Sequence, residues 1–139
     1  MRVVKADDYQ TWFIEEDGFG VLIDPWLDKK LNPESSVLLQ RERQETSSLS
    51  QKELDQVKVV IVTAPFIDHL HIPSIKKLNN KVKIITTKKV RKILIKNQID
   101  NPIACIDNQI IEIGPFKLSV FPAGFPYSWS AFCFFLENT

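Results

Sequence analysis

The chain has 139 residues, of which 44% are hydrophobic, and this suits a single domain with a substantial core. Its 18 basic and 17 acidic residues nearly cancel, which argues against a dedicated binder of polyanions. The amino terminus has no apolar core of signal-peptide length, and no apolar run is long enough to span a bilayer. We therefore expect a soluble, cytoplasmic protein that makes no membrane contact.

Strand patterns dominate the first half of the chain. The runs TWFIEED and GVLIDPW are separated by Gly18 and Gly20, which predicts a β-hairpin. Residues 27–56 are rich in Ser, Gln, Glu and Lys and form a long connection, whose end SSLSQKELDQ predicts a brief capped helix. The run VKVVIVTA is almost uninterrupted β-branched sequence, which is typical of a strand buried on both faces.

The second half predicts two helices among further strands. VKIITTK is a strand, IPSIKKLNN a short helix, and KVRKILIKNQ an amphipathic helix with Val90, Ile93, Leu94 and Asn97 on one face. IACID, QIIEIG and FKLSVFPA predict a meander, and AFCFFLEN is the last strand. The chain therefore belongs to the α/β class.

The two cysteines, Cys105 and Cys133, lie in apolar segments and lack metal-ligand spacing. We expect buried, reduced thiols, which agrees with a reducing compartment. A disulfide between them is the alternative.

The stretch IVTAPFIDHLH carries the chemistry that the sequence suggests. It follows the buried strand and contains Asp68 together with both histidines of the chain, His69 and His71. A hydrolytic metal ion needs about three protein ligands and an open position for water. A short loop at a strand end can supply several of them, so these three residues are the candidate metal ligands, and Asp68 and His69 the candidate catalytic residues.

The order of these elements resembles that of the metallo-β-lactamase superfamily, in particular its small hydrolase branches. The resemblance runs from LIDPWL, through VVIVT and the loop that follows it, to VFPAGFPY. We call this loop, residues 63–71, the acid–histidine loop. It implies a four-layer αββα sandwich with a mixed sheet and flanking helices. Residues 1–139 would form a single domain of this type that lacks the carboxyl-terminal part of the family fold.

In that family the buried strand ends in a His-x-His-x-Asp-His motif that holds two metal ions. By resemblance, Asp68 and His69 match the last two positions, whereas Ala64 and Phe66 stand at the first two. Phe125 stands where a later histidine ligand would be, and Asp24 matches an aspartate at the edge of the site. By this resemblance, apolar residues replace all three ligands of the first metal. The prediction is therefore that apolar side chains fill a cavity that once held a metal ion.

The same residues also have structural interpretations. Asp68 is expected to cap the helix that follows it, His69 to be hydrogen-bonded within the loop, and His71 to play a structural part. The aromatic part of GFPYSW, residues 125–129, is expected to be a loop that contributes core area. Phe66 and Phe125 are expected to approach each other, or to share neighbours, over the former metal position.

Three functions follow from these patterns. The first is a protein with a dismantled metal site that is not an enzyme; it would bind a small molecule or a protein partner and would need no cofactor. The second is a hydrolase of an ester, phosphoester or lactone that uses zinc, manganese or iron held by Asp68, His69 and ligands from another chain. The third is a nucleic-acid accessory, suggested by nine basic residues between Lys76 and Lys96. The apolar last strand would expose an edge, so we also expect a homodimer.

Overall fold

In the computed structural model, the chain is described at residues 1–7, 9–31, 41–42, 47–100, 102–104, 109–128 and 130–139. The described residues form a six-stranded sheet, a three-stranded sheet, a two-stranded pair and three helices. In chain order these elements are β1 (Arg2–Lys5), β2 (Trp12–Glu16), β3 (Phe19–Ile23), β4 (Lys30–Leu31), β5 (Arg41–Glu42), α1 (Gln51–Gln56), β6 (Val57–Val62), α2 (Ile72–Lys76), β7 (Lys83–Thr86), α3 (Lys88–Lys96), β8 (Pro102–Ala104), β9 (Ile110–Ile113), β10 (Phe116–Pro122) and β11 (Phe132–Asn138).

The predicted hairpin is formed by β2 and β3, which pair in antiparallel fashion from Trp12 and Ile23 to Glu16 and Phe19. The two turn residues, Asp17 and Gly18, both have positive φ angles, +50° and +78°. A two-residue turn with this backbone follows the right-handed twist of the strands, and Asp-Gly is one of its preferred sequences. The hairpin prediction is confirmed.

The six-stranded sheet has the order β1-β2-β3-β6-β7-β8. Its first three strands are antiparallel, while β6 pairs in parallel with both β3 and β7. The central position of β6 explains its continuous apolar sequence, because each face of the sheet buries side chains at this strand. The sheet is therefore mixed, as the α/β prediction requires.

The second sheet is an antiparallel meander with the order β11-β10-β9. The strand IACID was expected to belong to this meander, and that prediction is wrong. Its described part, β8, instead pairs in parallel with β7 at the edge of the six-stranded sheet. The reason is α3, which crosses over between β7 and β8 and returns the chain in the same direction.

Two hydrophobic clusters cover the two faces of the large sheet. Val21, Ile61 and Ile85 point towards the meander and pack with Phe116 and Leu118 of β10. On the opposite face of the sheet, side chains pack with residues of α2 and α3. The buried members of this second cluster are Phe13, Leu22, Val57, Val60, Val62, Leu70, Ile75, Val82, Ile84, Val90 and Leu94. The large sheet is thus sandwiched between the meander and the helices.

The helices begin where the sequence predicts. The Ser50 side chain accepts a hydrogen bond from Glu53 N, and the Glu53 side chain accepts one from the Ser50 backbone, which completes a capping box for α1. Thr87 caps α3 through Val90 N, and Val90 and Leu94 are the buried residues of its apolar face. In the described part of the chain, no helix is long and apolar enough to cross a membrane.

The expectation of buried cysteines is wrong for Cys133, which is exposed on β11 as a free thiol. Residue 133 alternates with Phe132 and Phe134, whose side chains pack against the core between the sheets. The alternation of a strand therefore turns Cys133 outward. Cys105 lies outside the described residues.

Candidate functional site

The candidate site lies where β3 and β6 end and β11 begins. Asp24 directly follows β3, and its backbone N–H donates to Ile61 O at 2.9 Å, which continues the pairing with β6. Phe132 N donates to Thr63 O at 3.1 Å and connects the second sheet to the end of β6. Because the parallel strands end at one edge, residues far apart in sequence meet here.

Asp24 is the centre of this site. It is 5% exposed, and its φ angle of +44° is a left-handed conformation that aspartate tolerates better than most residues. Its carboxylate accepts a bond from Thr63 N at 2.8 Å to Oδ1 and one from the Thr63 hydroxyl at 2.6 Å to Oδ2. The turn at Asp24 therefore directs a buried carboxylate at the start of the acid–histidine loop.

His69 completes the cluster. Its Nδ1 lies 2.8 Å from Asp24 Oδ2 and 2.9 Å from Thr63 Oγ1. Since the Thr63 hydroxyl donates to Asp24, a proton on Nδ1 is the arrangement that satisfies both contacts. This leaves Nε2 as the ring atom available to a proton or a ligand. The expected hydrogen bonding of His69 within its loop is confirmed by the contact with Thr63, but its carboxylate partner, Asp24, lies outside the loop, directly after β3.

The charges around His69 also change its acidity. Burial lowers the pKa of the His69 imidazole, but the hydrogen bond and charge of Asp24, together with the charge of Asp68, raise it. The net pKa lies above the ordinary value of a histidine. The protonated form of His69 is therefore the form that this environment favours.

Asp68 does not cap the following helix, so that prediction is wrong. The helix α2 begins after His71, and no side chain caps it. Asp68 Oδ2 instead lies 3.4 Å from both the Tyr9 hydroxyl and Gln10 Nε2, and 3.8 Å from His69 Nε2. The Asp68 carboxylate therefore contacts residues of the β1–β2 connection instead of the backbone amides of α2.

His71 lies apart from the cluster and has structural contacts. It is buried, and its Nδ1 lies 2.6 Å from Ser74 Oγ, which in turn accepts a bond from Leu27 N at 2.7 Å. The imidazole also lies 6.3 Å from the ring of Trp26, measured between centroids. His71 thus holds the segment after β3 against α2.

The three apolar replacements do not fill one space. Ala64 is buried, but Phe66 is 40% exposed and Phe125 is 90% exposed. Phe66 makes an edge contact with Tyr127, at 5.3 Å between ring centroids, and lies 6.3 Å from the His69 ring. The expected approach of Phe66 and Phe125 is not what the ring contacts show, because Phe66 meets Tyr127 of the β10–β11 loop while Phe125 is largely exposed. Trp129 lies outside the described residues.

Within the described part of the chain, few metal donors lie beside His69. Asp24 and Thr63 occupy His69 Nδ1, so His69 Nε2 and the Asp68 carboxylate are the two donors left to face each other. Over the residues that the structure describes, no group of three or more His, Cys, Asp and Glu side chains is placed to hold a metal. A hydrolytic zinc site needs three protein ligands besides water.

A cleft of about 400 Å³ opens beside the cluster. Asp24 and Thr63 form its polar end, and the other lining residues are mostly aromatic or aliphatic: Tyr9, Gln10, Trp12, Ile14, Ile23 and Phe134. A mostly apolar cleft with a few fixed polar groups is the usual form of a small-molecule site.

Sequence reasoning missed Thr63, Tyr9 and Gln10 as members of this site. Thr63 had a signal, because it is the first polar residue after the buried strand. No sequence pattern indicates Tyr9 and Gln10, since they are 59 and 58 residues away from Asp68 along the chain.

Comparisons with known proteins agree with this architecture. The sequence pattern described as the Beta-lactamase superfamily domain matches residues 20–123. No curated protein matches the sequence. The fold is similar to that of an isothiocyanate hydrolase from gut bacteria of Delia radicum, with a TM-score of 0.72, 17% identity, and coverage of 99% of this chain and 58% of that one.

Two other solved structures have the same fold. A protein described as a possible metal-dependent hydrolase from Veillonella parvula has a TM-score of 0.67 and 20% identity, over 93% of this chain and 55% of that one. A metallo-hydrolase from the archaeon Ignicoccus hospitalis has a TM-score of 0.65 and 13% identity, over 98% and 55%. The chain thus spans little more than half the length of these proteins. With its family pattern, its mixed sheet and its fold in agreement, the chain belongs to the β-lactamase superfamily.

Proposed function

We propose that this chain is a non-catalytic member of its superfamily that binds a small molecule or a protein partner. The observation that carries the proposal is the donor set at His69. Asp24 is hydrogen-bonded to His69 Nδ1. Among the described residues, Asp68 is the residue whose carboxylate lies near His69 Nε2. Two donors bind a divalent ion far more weakly than the three or four of a working site, because each lost ligand removes binding free energy.

The residues at the former ligand positions support the same proposal. Ala64, Phe66 and Phe125 carry no atom that binds a metal. Phe66 instead packs with Tyr127 beside His69, which places apolar surface next to the remaining imidazole. Apolar surface at this point does nothing for a hydrolytic water. The cleft that opens at Asp24 and Thr63 is itself mostly apolar, and this suits the recognition of an organic ligand.

Metal analysis tests the proposal directly. Protein purified without chelators should contain far less than one equivalent of zinc, manganese or iron per chain. The double variant Ala64→His with Phe66→His restores two imidazoles beside Asp68 and should raise the zinc content and the zinc affinity. The variant Ile67→His, at an exposed neighbouring position, is the matched control and should not. One equivalent of tightly held metal in the wild-type protein would overturn the proposal.

The competing proposal is a metal-dependent hydrolase of an ester, phosphoester or lactone. It is favoured by one observation, the fixed orientation of His69, whose Nε2 is directed away from Asp24 towards Asp68. Asp68 and His69 would then hold zinc, manganese or iron with ligands from another chain. Metal that co-elutes with an oligomer and is lost in His69→Ala would support this alternative.

We further propose that the two sheets are the inner layers of a four-layer αββα sandwich, of which residues 1–139 form one domain. The packing of the meander on one face of the large sheet and of α2 and α3 on the other supports three of these layers.

A further inference from the structure

A second and larger cavity lies at the opposite end of the strands from Asp24 and His69. Its volume is about 710 Å³, and it opens between the two sheets near the beginnings of β6 and β7 and the β9–β10 turn. The lining residues at these places are Val57 at the start of β6, Lys83 at the start of β7 and Gly114 in the turn. Since β6 and β7 are parallel, their beginnings lie a full strand length from the acid–histidine loop. The cavity is therefore separate from the site described above.

The inner walls of this cavity are aliphatic. Val59, Ile85 and Ile113 are almost completely buried and belong to the cluster between the sheets. Ile111 is half-buried on the same inward face of β9, and the ring of Phe19 lies beside the turn at Gly114. The cavity has the size of a typical small-molecule pocket, and its aliphatic inner walls suit a hydrocarbon group.

The mouth of the cavity is charged. Lys58, Lys81 and Lys83 are exposed lining residues, and within the described residues none of them forms an ion pair. The two acidic lining residues are Asp55, whose carboxylate accepts a bond from the Gln51 amide at 2.8 Å, and Glu112. Three ammonium groups against two carboxylates leave one positive charge uncompensated. A ligand with one negative charge at its end complements this mouth.

We propose that this cavity binds an aliphatic monocarboxylate of medium chain length. The hydrocarbon enters between the sheets against Val59, Ile85 and Ile113, and the carboxylate stays at the surface near the three lysines. Hydrocarbon burial supplies most of the affinity, because ion pairs at an exposed mouth contribute little. The proposal does not depend on whether Asp68 and His69 hold a metal, since the two sites lie at opposite ends of the strands.

Calorimetric titration with hexanoate, octanoate, decanoate and the corresponding alcohols tests this proposal. The affinity should rise about fourfold for each added methylene, because burial of one methylene contributes about 0.8 kcal/mol. Each carboxylate should bind more tightly than the alcohol of equal length. Equal binding of acid and alcohol would overturn the assigned ligand class, and the lack of saturable binding by every probe would overturn the site.

Variants locate the binding. Lys81→Glu and Lys83→Glu should each weaken decanoate about fivefold while leaving decanol unchanged, since they remove and reverse a charge at the mouth. Lys92→Glu, on the exposed face of α3, is the matched control and should bind as the wild type does. Ile111→Trp, which fills the half-buried wall, should abolish binding of both ligands. Backbone amide shifts at Val59 and Ile113 on addition of decanoate should confirm the location, and shifts confined to the Asp24 end would overturn it.

Discussion

At the scale of single residues, one buried carboxylate organises the candidate site. Asp24 accepts bonds from Thr63 N, from the Thr63 hydroxyl and from His69. The sequence LIDPW indicated Asp24 as a site residue, because the family resemblance places an aspartate at the edge of the site at this position. Its bond to His69 was not predictable, because the two residues are 45 positions apart and meet only when β3 and β6 pair.

The first prediction concerns the protonation of His69. Asp24→Asn removes the charge that raises the pKa of the imidazole, so this pKa should fall while burial continues to lower it. Proton NMR titration can measure it directly, because His69 and His71 are the two histidines of the chain. An unchanged pKa of His69 in the variant would contradict the Asp24 interaction.

The same contact predicts a pH dependence of stability. The folded protein holds the pKa of His69 above its unfolded value. The stability gained from protonated His69 is therefore fully present below the unfolded pKa and is lost as the pH rises through the folded pKa. In Asp24→Asn this decline, measured by urea unfolding across neutral pH, should be smaller than in the wild type.

At the scale of elements, local sequence predicts helices and hairpins well in this chain. The capping box of α1, the Asp17–Gly18 turn and the apolar face of α3 each depend on residues within a few positions of one another. Strands were harder. The sequence did not predict β1, which is mostly exposed at the sheet edge, and it placed β8 in the wrong sheet. Pairing partners depend on where α3 returns the chain, which local patterns do not contain.

The second prediction is that Ser50→Ala destabilises the protein by about 1 kcal/mol, because α1 loses its amino-terminal cap. Ser50→Gly is the matched control and should cost only a few tenths of this, since glycine is an acceptable cap residue. Chemical unfolding at neutral pH measures both. Equal stability of Ser50→Ala and the wild type would contradict the contribution of the capping box.

This cap should also respond to acid. Bonds from the Ser50 backbone and side chain lower the pKa of Glu53, with a further contribution from Arg2. The stability that ionised Glu53 contributes is present above its unfolded pKa and is lost as the pH falls through its folded pKa. Glu53→Gln should therefore flatten the loss of stability on acidification, most clearly below the ordinary pKa of a glutamate.

At the scale of the whole molecule, the second sheet presents an apolar outer face. Ile110, Phe121 and Phe135 are 60%, 45% and 59% exposed and alternate with residues that face the core. Among the described strands of the same sheet, β11 lies at the edge. An apolar face beside an open edge is a surface that favours association.

The third prediction is that the chain forms a homodimer through this face and edge. Phe135→Lys places a charge in the apolar surface and should shift the protein to monomers, as measured by light scattering after size exclusion. Ile95→Lys, which replaces an exposed hydrophobic residue on α3, should leave the dimer intact. A wild-type monomer at the highest soluble concentration would show that the prediction is wrong.

The sequence by itself determined the α/β class, the hairpin, the capped helix α1, the apolar face of α3 and the superfamily, because each depends on short-range patterns or on a motif along the chain. Only the tertiary structure decided that Asp24 binds His69, that Asp68 faces Tyr9 and Gln10 rather than capping α2, and that Phe125 is exposed while Tyr127 covers Phe66. These outcomes depend on which side chains long-range strand pairing brings together. Residue type restricts the partners that each side chain accepts, but the packing of the two sheets selects among them.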